Sequence, residues 1–474
     1  MSYENLLSII HQAVDLLKKS NNVFIVSHFD ADGLSSAIIL ASAAYRMSIP
    51  FQLRIIDQLD IDIMNNILSN SADTIILADF GSAISREFFD EVINKKVIVI
   101  DHHEIPGKER PSWVLEINPH EHGFNGSVDV SSAGLSYLLA KHLDEKNIDL
   151  VRFALAGAIG DQQDQGPKKS FTAINSKIVN EGVESGYISV RVRLLLSGSP
   201  TTTPIVRAIA NTTEPYLMGL SGDEQASYEF LKNIGINPEI SGRLRTLAEL
   251  NENELKLLAS RLVLHILGYG GTAEQAENLY GHDYIYVKDN IIPSIRELSA
   301  FLNACGRLDM EWYPIEAFIL GKIDQQNIID IMGKHRQVIA KKLEILQNNT
   351  DIITKGRWIN AFKLEDVGDR MMGVITTIAL NSGILDKSTV AVGITKSRVK
   401  SNYLKISARA LRELTEKGIN VGKAISKAAE KVGGIGGGHD AAGGAQIPED
   451  SEKEFIEEFD KIIDKQISGY HDTD

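Results

Sequence analysis

Val23-Phe24-Ile25-Val26-Ser27-His28-Phe29-Asp30-Ala31-Asp32-Gly33 is the stretch around which the rest of the chain is organised. Val23 to Val26 is a short apolar run of the kind that forms a buried strand. It stops at one histidine and two aspartates on alternate positions. Gly33 admits a tight turn, and Leu34 to Met47, rich in Ala, Ile and Leu, then predicts a helix. The polar groups thus fall at the carboxyl end of a strand, where open α/β sheets place their sites. Imidazole with carboxylate suits divalent transition metals such as Mn or Zn, and Mg less well. The bland alternative is a strand-end turn with solvated acids. An EF-hand fits worse: its loop needs a closing bidentate Glu and two flanking helices, and here an apolar strand comes first.

Outward from this stretch the theme repeats. Thr74 to Ala78 is an apolar strand ending at Asp79, and Val97 to Ile100 another, ending at Asp101-His102-His103. Between them lie a strand-like Phe51 to Ile56 and helical patterns at Ile61 to Leu68 and Ile84 to Ile93, with an amphipathic helix over residues 4–19 in front. Such alternation predicts a parallel, doubly wound sheet, with the His and Asp groups gathered along one edge. Residues 104–130 read as loop, Ser131 to His142 as a helix with serines at its start, and Val151 to Ile159 as an apolar segment ending at Gly160-Asp161. From about 185 to 300 helical patterns dominate without a ligand-like cluster, and Ile323 to Gln347 predicts one long helix. A new α/β pattern begins near 357, with strands at Val390 to Ile394 and Tyr403 to Ala408. It closes on Gly433-Gly434-Ile435-Gly436-Gly437-Gly438-His439-Asp440-Ala441-Ala442-Gly443-Gly444.

The chain of 474 residues is long enough for about two to four domains, and 43% hydrophobic content supplies their cores. No run reaches a membrane-spanning length, and no charged-then-apolar leader of the secretory kind is read. Cys305 is the single cysteine, which excludes an intrachain disulfide framework and points to a reducing, cytoplasmic setting. A net charge of −14 argues against a nonspecific nucleic-acid coat, though not against a local basic groove or metal-bridged phosphates.

His28, Asp30, Asp32, Asp79, Asp101, His102, His103 and Asp161 together carry the chemistry. Two metals about 3.5–4 Å apart need a shared carboxylate and two or three further ligands each, and this set can supply them. Taken alone, the adjacent histidines also read as a hydrogen-bonded structural pair. The glycine run is not a dinucleotide fingerprint, because it does not follow a first strand in a βαβ unit. It suggests a backbone that approaches a phosphate closely, with His439 as donor, although a flexible turn before the last strand is the plainer reading. The preceding stretch, 396–431, sets ten lysines and arginines against three glutamates. A solvated helix face accounts for part of this; a phosphate-backbone groove accounts for it better.

These motifs resemble the DHH phosphoesterase family. His28-x-Asp30-x-Asp32-Gly33, Asp79, Asp101-His102-His103 and Gly160-Asp161 match its four motifs in order. Gly436-Gly437-Gly438-His439 matches the glycine-histidine motif of the DHH-associated domain of RecJ-like nucleases. Leu302-Asn303-Ala304-Cys305-Gly306-Arg307 looks like the element that precedes the RecJ connector helix, and Gly160-Asp161-Gln162-Gln163-Asp164 is similar to archaeal RecJ-like proteins, including the GINS-associated nuclease. The resemblance implies an α/β fold: a parallel-sheet DHH domain over 1–190 and a smaller α/β DHH-associated domain over 351–474, joined through 191–350 by a helical insert and a long connector helix. It implies that His28, Asp30 and Asp79 hold one metal, and Asp32, Asp79, His102 and Asp161 the other. Asp101 would orient a histidine, and His103 would face the scissile phosphate. Ser407, Arg409, Gly436, Gly437, Gly438 and His439 would bind substrate.

The expected function is a two-metal exonuclease acting on single-stranded DNA or RNA in replication or repair, with Mn favoured over Mg and a cleft between the lobes too narrow for duplex. Alternatives are a replisome scaffold related to the eukaryotic helicase cofactor, with GINS or another replication protein as partner, and a phosphodiesterase for short oligonucleotides or cyclic dinucleotides.

Overall fold

A computed structural model describes residues 2–57, 61–84, 89, 95–105, 111, 113–198, 200–212, 215–288, 291–398 and 400–471. The chain forms two compact units, one of residues 1–199 with 280–332, the other of 200–279 with 333–474.

In the first unit, helix α1 (Tyr3–Leu17) leads into β1 (Val23–His28), α2 (Ala31–Arg46), β2 (Phe51–Ile56), α3 (Ile61–Ser69), β3 (Thr74–Ala78), β4 (Lys96–Ile100) and β5 (Val114–Ile117). The five strands form one parallel sheet in the order β2-β1-β3-β4-β5. Runs such as Thr74-Ile75-Ile76-Leu77-Ala78, fully buried along their length, have no polar face to offer water. They are stable only with both sheet faces covered, which is the parallel arrangement. Strand order reverses between β1 and β3, so the crevice outside their carboxyl ends is the topological switch point of the sheet. The expected helix over 84–93 falls mostly outside the described residues. The stretch 104–130, expected as loop, contains β5; its proline-rich flanks hid a strand of four residues.

Helix α2 is buried from Ala31 to Ala44. Its small Ala, Ser and Gly side chains let the sheet on one side and α4 (Ser132–Leu143) and α5 (Val151–Gly160) on the other approach closely. After α6 (Ala173–Glu184), strand β6 (Ile188–Leu194) pairs antiparallel with β7 (Tyr280–Tyr286), and α7 (Ile295–Arg307) packs on α5 and α2. The middle of the chain, expected as one insert over 191–350, is therefore shared. Residues 280–332 return to the first unit because β7 completes the ribbon with β6 and the apolar face of α7 (Ile295, Leu298, Phe301, Leu302) joins its core.

The second unit carries helices at Ile205–Asn211, Glu224–Asn233 and Glu252–Gly268, and a mixed six-stranded sheet. The strands are β8 (Ile353–Lys355), β9 (Ile359–Lys363), β10 (Val390–Lys396), β11 (Tyr403–Arg409), β12 (Ile435–Gly438) and β13 (Ala442–Pro448), in the order β8-β9-β10-β11-β13-β12. Helix α8 (Asp369–Asn381) packs on β10 and β11, and α9 (Val421–Lys431) on β12 and β13. The long helix expected over 323–347 spans Gln325–Asn348. Among the described residues no helix is long and apolar enough to cross a membrane.

Candidate metal centre

The switch point collects its groups from three strand ends and two helix ends. His28 closes β1. Asp30 caps α2, its carboxylate accepting from Gly33 N at 3.0 Å. The helix begins at Ala31, earlier than the sequence suggests, and Gly33 lies inside it rather than in a turn. A glycine is required for another reason: a Cβ there would stand 2.4 Å from His28 O. Asp32, wholly buried, accepts from the first amides of α4, Ser132 N at 2.8 Å and Ala133 N at 2.9 Å. A helix N-terminus is the natural seat for a buried carboxylate. Asp79 follows β3 with φ of 66°, a left-handed conformation that Asp tolerates better than most residues. Asp101 and His102 follow β4. Asp161 comes from the carboxyl end of α5, so the apolar segment at 151–159 is a helix.

Asp79 is the hub. Its Oδ2 lies 3.6 Å from His28 Nδ1, which is 2.8 Å from Asp30 Oδ2. Its Oδ1 lies 3.5 Å from His102 Nε2, which is 3.1 Å from Asp161 Oδ2 and 3.8 Å from Asp32 Oδ2. Donor atoms of His28, Asp30 and Asp79 fall within 4.8 Å of one another, as do those of Asp32, Asp79, His102 and Asp161. A third such group is Asp79, His102 and His103. Asp79 Oδ1 and His102 Nε2 are buried and make no hydrogen bond. Two inward-facing orphan atoms in a nest of carboxylates and imidazoles are what a divalent cation would satisfy, so these residues fit one.

Residues that sequence reading did not single out hold this set in place. His102 Nδ1 donates to Gly126 O at 2.7 Å, which fixes the tautomer and leaves Nε2 for the centre. Gln163 Nε2 donates to the same carbonyl at 2.8 Å, and Asn175 holds Gln163 Oε1 at 2.7 Å. Asp101 does not join the cluster. Its Oδ1 accepts from His103 Nδ1 at 2.8 Å and its Oδ2 from Ser82 N at 2.8 Å, so it orients His103, whose side chain is 45% exposed. Asn303, part of the sequence element before the connector helix, pins the start of α2: its Oδ1 accepts from Ala31 N at 3.1 Å.

Electrostatics set the proton inventory. Burial pushes Asp32 well above the usual carboxylate range, and the neighbouring Asp161 and Asp79 charges add to it; burial also raises Asp161. Burial opposes the imidazolium forms of His28 and His102, yet Asp30 and Asp79 around the first and Asp161 and Asp79 around the second outweigh it and raise both well above the ordinary value. Burial would raise Asp79, but the two imidazoles hold it well below. Without a metal, then, protons stand in for cations. Binding a divalent ion is expected to release protons and to tighten as pH rises through the folded-state pKa values of His28 and His102. The sign for stability follows: groups raised by folding stabilise the metal-free protein at low pH and lose that contribution as pH rises. The stabilisation given by manganese should therefore widen above neutrality. Calorimetric titration in two buffers of different ionisation enthalpy measures the released protons; no net release would contradict this inventory.

The six residues expected to bind substrate lie in the second unit. Ser407 and Arg409 are on β11, and Gly436, Gly437 and Gly438 on β12, with β13 between. Register places Gly393, Ser407, Gly444 and Gly437 in one row across four strands. A Cβ at Gly437 would meet nothing within 4 Å, so this end of the row is bare backbone. Arg409 Nε donates to Thr377 Oγ1 at 3.2 Å and Nη1 to Ala408 O at 2.9 Å, which holds the guanidinium beside Gly373. Ser407 is mostly buried and His439 is exposed.

The DHH family N-terminal domain matches residues 22–159, the DHH-CID domain 198–280 and the DHHA1 domain 366–466. The chain belongs to the DHH phosphoesterase family. Within it, the chain carries these three domains in one polypeptide and has the RecJ-like DHH fold. It is similar to the uncharacterized protein MJ0831 of Methanocaldococcus jannaschii, 28% identical over 468 residues and 95% of each chain. Its fold is that of exonuclease RecJ bound to manganese, with a TM-score of 0.56 and 16% identity over 97% of this chain and 94% of that one. It is also that of CDC45 from Entamoeba histolytica, with a TM-score of 0.62 and 11% identity over 97% and 99%.

Proposed function

We propose that the protein is a two-metal phosphodiesterase that removes nucleotides from single strands of DNA or RNA, in the cytoplasm and in the service of replication or repair. The observation that carries this reading is the sharing of Asp79, one oxygen turned to the His28–Asp30 group and the other to the Asp32–His102–Asp161 group. His28, Asp30 and Asp79 would hold one ion, and Asp32, Asp79, His102 and Asp161 the other. The two imidazoles favour manganese over magnesium. When bound, such a pair supplies the nucleophile at neutral pH and charge stabilisation for displacement at phosphorus.

The chain's own residues do the remainder. Burial opposes protonation of His103, but the Asp101 carboxylate outweighs it and raises the pKa, which favours the protonated ring. With Nδ1 held by Asp101, Nε2 would face the substrate and donate to an oxygen of the scissile phosphate. Ser407, Arg409, the Gly436–Gly438 backbone and His439 would bind the strand's phosphates. Replacing Arg409 or His439 by Ala should leave manganese binding intact. Losing one charge-assisted hydrogen bond of about 1.5–3 kcal/mol lowers affinity for long strands roughly ten- to a hundredfold. Loss of metal in either variant would break this division of labour.

The reading as a whole is tested by digesting end-labelled single strands of DNA and RNA, and blunt duplex, with manganese. Nucleotides should leave the single strands from one end while duplex persists. Duplex cut equally fast, or no release from any strand, would overturn the proposal. The CDC45-like fold and the DHH-CID domain favour a second, compatible role as a replication-complex component with GINS or a related protein as partner. Co-elution with purified GINS tests it.

A further inference from the structure

The first unit contains a small polar cavity at the end of α2 that lies away from the metal centre. It has a volume of about 120 Å³. Ser42, Tyr45 and Arg46 of α2 line it, with Asp149 and Arg152 at the entry to α5 and Phe318 of the helix Trp312–Ile319. At a rise of about 1.5 Å per residue, the cavity stands roughly 20 Å along α2 from Asp30 and Asp32. Sites for whole small molecules begin at roughly 300 Å³, so this one admits a single functional group.

Ser42 is 6% exposed, and among the described residues its hydroxyl has no hydrogen-bond partner. A serine inside a helix can return its hydroxyl to a carbonyl one turn back, and this one does not. Ser35 and Ser36 of the same helix are also unpartnered, but their hydroxyls are sealed in the core, whereas Ser42 borders the cavity. Arg46 is held rigidly. Its Nη1 donates to Asn147 Oδ1 at 2.9 Å and to Asp149 Oδ1 at 2.7 Å, and its Nη2 to Asp149 Oδ2 at 2.7 Å. Both oxygens of the one carboxylate in the lining are thereby engaged. Arg152 is half-buried, its guanidinium carbon 4.9, 4.6 and 4.9 Å from the ring centroids of Phe153, Tyr286 and Phe318. These rings fix the cation without adding negative charge. Arg152 also stands in the first turn of α5, whose cap residue Leu150 supplies no side-chain bond. That end of a helix carries partial positive charge and favours an anion. The lining therefore sets two guanidiniums and an unused hydroxyl against one carboxylate. Planar guanidinium forks with a hydroxyl are donors suited to a tetrahedral phosphate. Tyr45, also in the lining, is 59% exposed, so an aromatic ring stands where the cavity meets solvent.

We infer that this cavity is a second phosphate site, separate from the metal centre, which takes inorganic phosphate or the phosphate group of a nucleoside monophosphate. Ser42 and Arg152 donate to its oxygens, and Arg46, fixed by Asp149, supplies the second positive charge. The assignment is independent of the reading of the metal centre as a strand-cleaving site.

The test is calorimetric titration of the full-length, metal-free protein with inorganic phosphate, with thymidine 5′-monophosphate and with thymidine. Wild type is compared with Ser42→Leu and Arg152→Met. Leucine at 42 fills the space and leaves the Arg46–Asp149 pair alone. Methionine at 152 keeps a long side chain against the three rings and removes the charge. Wild type should bind phosphate and the monophosphate but not thymidine. Each variant should bind both about tenfold or more weakly. Manganese affinity at the wild-type value establishes that a variant is folded. Should one fail this check, Ser42→Ala, which removes only the hydroxyl, takes its place with the same expectation. Tighter binding of the nucleotide than of phosphate, lost in Tyr45→Ala, identifies the nucleotide as the occupant; equal affinities identify inorganic phosphate. Absence of phosphate binding by wild type, or wild-type affinity in folded variants, overturns the site. No turnover enters the readout, so a protein that binds phosphate here and cuts no strand loses the nuclease reading alone.

Discussion

Asp79→Asn is expected to reduce hydrolysis to no more than a few per cent of wild type while leaving the fold intact. Asparagine occupies the left-handed region about as readily as aspartate, so the φ of 66° costs it little. Alanine lacks the short polar side chain that eases that conformation, and would mix a backbone penalty with the loss of the ligand. What the amide removes is the charge that both groups share. Without it each group keeps only its private ligands, and two cations at that spacing repel each other with no anion between them. A loss of several kcal/mol of charge stabilisation is on the order of a thousandfold in rate. The same change should be visible without turnover. His28 and His102 each lose one of the carboxylates that raise them, Asp30 remaining beside the first and Asp161 beside the second, so their pKa values should fall in the metal-free variant. Anomalous scattering from manganese-soaked crystals should show two peaks beside Asp79 in wild type and fewer in the variant. Retained turnover above a few per cent would sink the shared-ligand assignment.

Gly157→Ala is expected to reverse the usual sign of a helical glycine substitution. Gly333→Ala, on the long helix and with nothing within 4 Å of the new Cβ, should stabilise by up to about 1 kcal/mol through helix propensity. At Gly157, inside α5, the new Cβ would lie 2.3 Å from Asp32 Oδ1 and 2.5 Å from Ala133 Cβ. Neither neighbour can yield freely, because Asp32 is hydrogen-bonded to Ser132 N and Ala133 N. Overpacking of this kind costs about 1–3 kcal/mol. The relaxation that relieves it must displace a carboxylate of the buried group. Manganese affinity should therefore fall by about tenfold or more, as when other supports of a metal site are removed. Urea denaturation of the metal-free proteins with a manganese titration of each separates the two effects. A Gly157→Ala protein that binds manganese like wild type would show that Asp32 is not held as described.

The parts legible in the sequence were those whose chemistry is written locally. Apolar runs that end in His or Asp mark strand ends, and their alternation with helical patterns implies a parallel sheet. The eight acids and histidines were visible because ionisable groups are rare at the ends of buried strands. What was not legible acts through contacts between distant segments. Gly126 accepts from His102 across 24 positions, Gln163 and Asn175 buttress that carbonyl, and Gly157 makes room for Asp32. Each is an ordinary residue type whose role exists only once the chain has folded. The boundaries of the middle region were hidden for the same reason: helical periodicity over 280–332 does not say which core the helix will join.

By itself the sequence determined the α/β class, the order of chemistry along the chain and the identity of the groups that could meet a metal, because periodicity and side-chain chemistry are properties of neighbours. Only the tertiary structure decided that the two oxygens of Asp79 turn to different histidines and that it is His103 with which Asp101 pairs. It alone brought the β6–β7 ribbon against the loop after Asp161, where His282 N donates to Lys168 O. Those outcomes depend on strand order and on which helix ends point into the crevice beyond β1 and β3, and no local pattern encodes the direction in which a side chain meets a residue far away along the chain.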